Sequence, residues 1–401
     1  MNGLYAGKQA QVQKILEEKQ IDLWLLMGRE TVDVCDPALR LVFDGNVMGV
    51  SAFFFTRTGK RLALVRRQDV SGVEATGCFD QVTGYGDNFD QLLRQTIEDI
   101  APNVIDINAD LYDALTDGLT TGLYLRLLHA LEGTPYAQRL SLGQVIRAVR
   151  GRKIPEEIAM QVQVLKLLNQ ACDELKAQLH IGMTEGEVYD FCQAFMKEHD
   201  MTGSWDMGCC PLVHAGARSN QGLVRPGNNP IRPGDTFHLS FGAKKNGYAT
   251  DFQRTWYVFE PGEKTIPQEV QHAFDTVRDV IEYVRVHMRP GMEGRQVDAM
   301  AREIMGKNGF TYGRGSGHAV GRALHDGCFQ LCPDSAVLGD LPERKLEVGN
   351  VFTLEFFADT SRGVVAIEDM VQLTENGCLL YTSGVKGTWR NAIFIDVSSL
   401  C

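Results

Sequence analysis

One stretch of the sequence, residues 234–257, constrains the fold more than any other because its pattern is typical of a β-hairpin. Apolar and polar side chains alternate, and a turn-forming run at 244–247 separates two strand-like segments. The alternating apolar residues of the first segment are Phe237, Leu239 and Phe241. If the hairpin is symmetric about the middle of the turn run, Ser240 and Asp251 lie opposite each other on neighbouring strands.

A second hairpin is predicted from strand-like segments at 350–357 and 364–371, joined by a turn at 359–363. A near-symmetric register places Glu355 close to Glu368. Two like charges opposite each other on a sheet repel, and inside a core the cost is larger unless a proton or a metal neutralises them. The alternative is a solvated acidic pair, but the apolar neighbours favour burial. The second hairpin therefore predicts a bound cation.

The segment between the two hairpins, residues 317–326, contains a histidine with glycine on either side. His318 follows Gly317 and precedes Gly321, in a setting where the backbone of another segment can approach closely. His325 lies seven residues later, and that odd spacing would send the two rings to opposite faces of a regular strand. Both rings can reach one cavity only if the chain bends between them.

Length and charge narrow the class of protein. A chain of 401 residues suits two domains, and a formal net charge of −11 argues against nucleic acid as a partner. No stretch of about 18 apolar residues exists, and the first residues carry no apolar signal core, so we expect a cytoplasmic protein with no membrane partner. The cysteine clusters at 209–210 and 328–332 lack the spacing of a zinc knuckle and favour core or site-lining thiols.

Residues 1–150 alternate helical and strand-like patterns, which predicts an N-terminal α/β domain with three layers. The predicted elements are a helix at 9–19, a strand at 21–27, a hairpin at 50–55 and 61–65, a helix at 89–100 and a strand at 103–108. This domain carries no cluster of carboxylates or histidines and is expected to shape and cover a site. Pro155, suited to the first turn of a helix, marks the start of the next domain.

A short internal repeat indicates that the second domain, residues 151–401, is a duplicated α+β unit with pseudo-twofold symmetry. A glycine–methionine pair and a following valine recur at a constant offset, as Gly182, Met183 and Val188 and again as Gly291, Met292 and Val297. Each copy lies between two predicted helices, at 156–179 and 184–199 in the first and at 267–289 and 293–307 in the second. Such a repeat predicts a site between the two halves.

These residues resemble a known family. Four ordered motifs, at 246–255, 317–321, 351–355 and 367–369, resemble those of the pita-bread fold shared by methionine aminopeptidases, Xaa-Pro aminopeptidases, proline dipeptidases and creatinase. The resemblance covers about residues 155–395. The two-domain length is similar to that of the Xaa-Pro aminopeptidase, prolidase and creatinase branch, in which the N-terminal domain helps to shape the site and the dimer. The resemblance therefore implies a homodimer.

The resemblance also implies a set of site residues. By it Asp251, His318, Glu355 and Glu368 correspond to metal ligands and His325 to a substrate-contacting histidine. We expect His325 to be catalytic, and Glu355 or a neighbouring carboxylate to act as a proton shuttle. The family's first metal aspartate falls at Ser240, a poor replacement for a carboxylate. Its loss should leave a four-ligand site for one ion per chain, suited to Mn, Fe, Co or Zn.

A second departure is a missing histidine. The family has a histidine after the stretch that matches 215–217, and this chain has none at 222–226. We expect His238 and His214 to compensate in part as substrate-binding residues, although both also suit hydrogen-bonded histidines of the core. Arg254 is a third candidate for substrate binding, with a buried ion pair beside Asp251 as the alternative.

Three functions agree with these patterns. The first is a metal-dependent hydrolase of a peptide or amide C–N bond, similar to Xaa-Pro peptidases, with a small peptide or amide as substrate. The second is a creatinase-like hydrolase of a small non-peptide substrate. The third is a pita-bread protein that has lost catalysis and binds a peptide or partner. A fold alone cannot choose among them, because function resides in the site.

Overall fold

The computed structural model describes residues 2–381 and the short strand at 393–395. The chain forms two compact units, Met1–Glu156 and Glu157–Cys401. The division falls in the first turn of the helix that Pro155 begins, close to the predicted boundary at residue 150. Among the described residues, no helix combines the length and the apolar character needed to cross a bilayer.

The first unit is built on a six-stranded sheet with the strand order β4-β3-β2-β1-β5-β6. Its strands are β1 (Leu23–Gly28), β2 (Ser51–Thr56), β3 (Arg61–Arg66), β4 (Gln81–Tyr85), β5 (Ile105–Ile107) and β6 (Leu140–Leu142). Its helices are α1 (Asn2–Lys19), α2 (Leu39–Val42), α3 (Val70–Ala75), α4 (Phe89–Ile100), α5 (Thr121–Ala130) and α6 (Gln144–Gly151). β1 pairs antiparallel with β2 and parallel with β5.

Successive side chains of the central strands enter two different cores. Trp24 and Leu26 of β1 belong to one apolar cluster, whereas Leu23, Leu25 and Met27 belong to another. Because side chains of a strand alternate between its two faces, the sheet is covered on both sides, which explains why every residue of β1 and β2 is buried. The predicted three-layer α/β domain is confirmed.

The second unit combines four long helices with a seven-stranded sheet. The helices are α7 (Pro155–Gln178), α8 (Glu185–Glu198), α9 (Gln268–His287) and α10 (Gly294–Lys307). The strands are β7 (Thr202–Gly203), β8 (Leu212–Ala215), β9 (Thr236–Ser240), β10 (Ala243–Lys245), β11 (Tyr248–Ala249), β12 (Gln253–Val258), β13 (Gly317–His318), β14 (Gln330–Leu331), β15 (Val351–Thr360), β16 (Gly363–Thr374), β17 (Gly377–Leu380) and β18 (Ile393–Ile395). The main sheet runs β15-β16-β12-β9-β8, with β17 beside β16 and β18 beside β12.

The two helix pairs of the second unit begin in the same way, as the internal repeat predicts. In each copy the second helix starts with a capping box, Thr184 with Glu187 in α8 and Glu293 with Gln296 in α10. Each cap residue also forms an isolated β-bridge to a later segment, to Pro230 in one copy and to Lys345 in the other. The duplicated α+β architecture is confirmed.

The first predicted hairpin exists, but its predicted register is wrong by two residues. Asn246 and Gly247 form the turn, with φ angles of 54° and 79°, and Lys245 pairs with Tyr248. A two-residue hairpin turn with both φ angles positive favours Asn-Gly, so the centre lies one position later than the middle of 244–247. Ser240 consequently pairs with Gln253 and not with Asp251.

The second hairpin has the predicted register. Glu355 of β15 lies directly opposite Glu368 of β16. Its turn is tighter than the predicted 359–363, because Thr360 already pairs with Gly363. The two glutamates are therefore neighbours on one face of the sheet.

Candidate metal centre

A row of four side chains crosses adjacent strands of the main sheet at one level. Glu355 pairs with Glu368, Glu368 with Gln253, and Gln253 with Ser240. Residues directly opposite each other on neighbouring strands project from the same face. The sheet therefore gathers two glutamates, an amide and a hydroxyl on one surface.

Asp251 and His318 complete the cluster from outside the row. Asp251 precedes Gln253 by two residues. His318 lies in β13, which is beside β15, and the His318 backbone N–H donates to the Thr353 hydroxyl at 3.2 Å. His318 Nε2 lies 3.9 Å from Asp251 Oδ2 and 4.0 Å from Glu355 Oε1. Asp251, His318 and Glu368 are all buried, and each offers a ligand atom within 4.8 Å of those of the other two.

The His318 ring has a defined protonation. Nδ1 lies 3.3 Å from the Ala319 carbonyl oxygen, and a carbonyl only accepts, so Nδ1 carries the proton. Burial lowers the pKa of His318 to about 4, so the ring is neutral at neutral pH. Nε2 therefore turns a free lone pair toward the carboxylates, which is the state of a metal-binding imidazole.

Without a cation, the charged forms of the three carboxyl groups are destabilised by burial and by their mutual repulsion. Burial, reinforced by the charge of Glu355, raises the pKa of Asp251 well above its ordinary range. Burial, with the charges of Asp251 and Glu355, does the same to the pKa of Glu368. Burial raises the pKa of Glu355 to about 7, against the opposing effect of the positive charge on Arg314. A metal ion would reverse all three shifts.

Two oxygens of the cluster identify the position that a metal fits. Asp251 Oδ1 and Glu368 Oε1 are buried without a hydrogen-bond partner among the described residues. Buried polar atoms are normally satisfied, and an unsatisfied pair beside a neutral histidine suits a cation. Carboxylate and imidazole donors are ligands for a divalent metal, which Asp251, His318, Glu368 and Glu355 would hold.

Gln253 is a site residue that the sequence analysis missed. Its Nε2 donates to Glu368 Oε2 at 2.8 Å and to Glu355 Oε2 at 3.4 Å. Its Oε1 lies 2.9 Å from His238 Nε2, so His238 donates there. The available signal was its spacing from Asp251, two residues earlier in a segment with a strand-like sequence pattern, in which alternate residues share a face.

His238 and His214 extend this polar chain away from the carboxylates. The two rings stack with centroids 5.1 Å apart, and their Nδ1 atoms are 2.9 Å apart. Both histidines are buried, and burial lowers the pKa of His238 to about 3. The structure thus joins both to the centre through Gln253, and their predicted contact with substrate stays a prediction.

His325 lies where the cluster reaches the surface. Its ring meets His318 edge-on with centroids 4.4 Å apart, although the residue itself is exposed. Residues 321–325 form a series of bends, which supplies the bend between the two histidines that their spacing required. Arg314, four residues before His318, is also exposed and acts electrostatically on Glu355. Glu355 is the most exposed of the four ligand candidates, with 18% of its side chain accessible.

Arg254 does not join the centre, and its predicted contact with substrate stays a prediction. It alternates with Gln253 along β12 and therefore projects from the other face. Its Nη2 lies 2.9 Å from Asp369 Oδ1, and its Nη1 donates to the carbonyl oxygens of Gln253 and Glu368. The buried ion pair that was the alternative is present, but its partner is Asp369 and not Asp251.

Comparison with known proteins agrees with this geometry. Residues 162–375 match the family described as metallopeptidase family M24. The uncharacterized peptidase YqhT of Bacillus subtilis (strain 168) is 27% identical over 256 residues, which are 62% of this chain and 67% of that protein. The Xaa-Pro dipeptidase of Pyrococcus furiosus is 25% identical over 276 residues, which are 67% of this chain and 75% of that protein.

Solved structures show the same fold over almost the whole chain. An Xaa-Pro dipeptidase from Bacillus anthracis superposes with a TM-score of 0.66 at 18% sequence identity, covering 98% of this chain and all (100%) of that one. An X-Pro aminopeptidase from Thermotoga maritima MSB8 gives a TM-score of 0.64 at 20% identity, covering 95% of this chain and 100% of that one. At these identities the likeness establishes the fold alone.

Proposed function

Because this chain belongs to metallopeptidase family M24, we propose that its buried cluster is a one-metal centre that hydrolyses a peptide or amide C–N bond. Asp251, His318, Glu355 and Glu368 would hold the ion. The observation that carries the proposal is the pair of unsatisfied oxygens, Asp251 Oδ1 and Glu368 Oε1, beside a histidine whose Nε2 has no proton. Such a donor set suits Mn, Fe, Co or Zn.

The ion would supply Lewis acidity toward the scissile carbonyl and toward water. Glu355 is suited to moving the proton. It is the ligand candidate nearest to solvent, so its carboxylate can accept a proton from water and pass it on. Its Oε2 already has a donor in Gln253, which holds the carboxylate in one orientation.

His325 is suited to stabilising developing charge. Its exposed ring stands next to His318 and is absent from the ligand set, so it can offer an N–H to a substrate oxygen or leaving nitrogen. Arg314 is exposed and acts electrostatically on Glu355, so it adds a positive charge that favours an anionic group of a peptide.

Xaa-Pro peptides are the substrates we propose. The support is that relatives of this chain carry the names Xaa-Pro dipeptidase and X-Pro aminopeptidase.

We also propose a homodimer, as the resemblance to the two-domain branch implied. Sedimentation of the purified chain would measure its oligomeric state.

The test is hydrolysis by the metal-reconstituted protein. The chain is loaded separately with Mn²⁺, Co²⁺ or Zn²⁺ and offered Xaa-Pro dipeptides and longer Xaa-Pro peptides, and the released N-terminal residue is measured. We expect turnover that chelation abolishes and metal restores, with one ion bound per chain. Tight metal binding with no cleavage of either peptide class contradicts the proposed hydrolase, and no bound metal at saturation contradicts the centre itself.

A further inference from the structure

In both glutamates of the centre, the two carboxylate oxygens have different surroundings. Glu355 Oε1 lies on the side of His318, and Glu368 Oε1 is unsatisfied. The other oxygen of each, Oε2, lies against Gln253 Nε2. The pair therefore offers two positions for positive charge, one beside His318 and one at the Gln253 amide.

Both polar atoms of the Gln253 amide have hydrogen-bond partners. A primary amide has two N–H donors and one carbonyl, and here the donors face the two glutamates while the carbonyl accepts from His238. Gln253 is 4% exposed and His238 is 2% exposed. His214 Nδ1 in turn lies 2.9 Å from His238 Nδ1, so His238, which donates to the amide carbonyl, is itself held in place.

We propose that the side-chain amide of Gln253 occupies the position of a second cation between Glu355 and Glu368 and thereby restricts the centre to one ion. The inference deepens the proposed function and rests on it. It assigns the restriction to Gln253 as well as to Ser240, which lies directly opposite Gln253 on β9. Gln253 is thus a positioning residue that selects the number of metal ions.

Space and charge both support this assignment. A transition metal bound to these carboxylate oxygens needs contacts of roughly 2.0–2.2 Å. Gln253 Nε2 already lies 2.8 Å from Glu368 Oε2, so the amide occupies the side from which a second ion would approach that oxygen. The amide is neutral but points two partial positive charges at the glutamates, which satisfies them without a second ion.

The experiment is a titration of metal-free protein with Mn²⁺, followed by calorimetry and elemental analysis. Three proteins are compared: the wild type, Ser240→Asp, and the double variant Ser240→Asp/Gln253→Thr. We expect one ion in the first two and two ions in the double variant. A second ion in Ser240→Asp alone overturns the inference, and so does a double variant that still binds one.

A single isosteric variant guards against misfolding of the double variant. Gln253→Glu should lower the thermal midpoint of the metal-free protein and gain a second saturating Mn²⁺-dependent rise in that midpoint. Gln161→Glu is the matched control, because Gln161 is fully buried and donates to the Ala249 carbonyl, so it adds a buried carboxylate elsewhere. A Gln253→Glu protein with one step, like the control, contradicts the inference.

The two proposals fail in different ways. A wild type that binds no Mn²⁺ contradicts the proposed one-metal centre. A wild type that binds one ion, together with variants that do not gain a second, leaves the hydrolytic centre standing and refutes only the role of Gln253.

Discussion

At the scale of single residues, the centre depends on which atom carries each proton. His318 has its proton on Nδ1 because the Ala319 carbonyl can only accept, and this leaves Nε2 for a metal. His238 has a proton on Nε2 because Gln253 presents its carbonyl there. Neighbouring acceptors and donors thus decide whether an imidazole acts as ligand or as support.

The two histidines at 318 and 325 should respond differently to truncation. His318→Ala removes one of four ligands and should lose metal affinity. His325→Ala should keep the metal and lose turnover by about 10²–10³, because it removes a donor to developing charge. Metal content and kcat, measured for both variants, distinguish a ligand role from a catalytic one. Loss of metal from His325→Ala would show that the ligand set is wrong, and full turnover in His325→Ala would refute its catalytic role.

Glu355→Gln should stabilise the metal-free protein, and the effect should grow with pH. The pKa of Glu355 in the folded chain is about 7, above its ordinary value of 4.5. Its contribution to stability is therefore complete below about pH 4.5 and is lost as the pH rises through about 7. The free energy of unfolding of the variant relative to wild type should rise by about 2–3 kcal/mol between about pH 5 and pH 8.

Denaturant unfolding of chelated protein at the two pH values measures this difference. Glu375→Gln is the control, because Glu375 is exposed in the turn between β16 and β17. The control should show no pH-dependent gain over wild type. A Glu355→Gln difference that stays constant with pH would mean that this carboxyl group is already ionised in the metal-free fold.

At the scale of elements, a two-residue strand positions His318, the histidine proposed to bind the metal. β13 lies so close to β15 that a Cβ atom on Gly317 would stand 2.0 Å from the Thr353 carbonyl oxygen. Only glycine permits this approach. The adjacent residue, His318, is carried to within reach of Asp251 and Glu355 by the same contact.

Gly317→Ala should therefore weaken metal binding without removing a ligand. The added methyl group pushes β13 from β15 and displaces His318, and loss of ligand support typically costs about 10–100-fold in metal affinity. Calorimetric titration with Mn²⁺ measures the change. Gly313→Ala is the control, because no described heavy atom lies within 4 Å of its added Cβ. Equal affinities in the two variants would show that the close approach does not position His318.

At the scale of the whole molecule, metal binding and stability are coupled. The centre places three carboxyl groups in a buried cluster within a chain of net charge −11. Without an ion, burial of this cluster keeps protons on its carboxyl groups and lowers the free energy of unfolding. An ion that binds the folded chain and not the unfolded one adds stability by mass action.

Mn²⁺ should raise the thermal midpoint of the wild type, and excess chelator should reverse the rise. At a free concentration about 100 times Kd the gain is about 2.7 kcal/mol. Scanning calorimetry at fixed pH measures it, with Mg²⁺ at equal ionic strength as the control for non-specific screening. Equal shifts with the two ions, or a rise that persists in His318→Ala, would argue against a specific centre.

The sequence by itself determined the parts of this protein that depend on neighbouring residues. Period-two alternation and a tight turn were enough to place Glu355 opposite Glu368, and the capping box at 184–187 together with the internal repeat was enough to locate the helix pairs. The family motifs then added Asp251 and His318. These inferences succeed because a hairpin or a helix start is specified within a few residues of chain.

Tertiary structure decided what lies across strands that are distant in sequence. Gln253 faces Glu368 only because β12 pairs with β16, and no local pattern specifies that register. The same pairing gives Arg254 its partner Asp369, and a one-position error in the turn centre had hidden the contact between Ser240 and Gln253. The candidate ligands could be named from sequence, whereas the amide between the glutamates required the assembled sheet, because its position depends on side-chain packing among four strands.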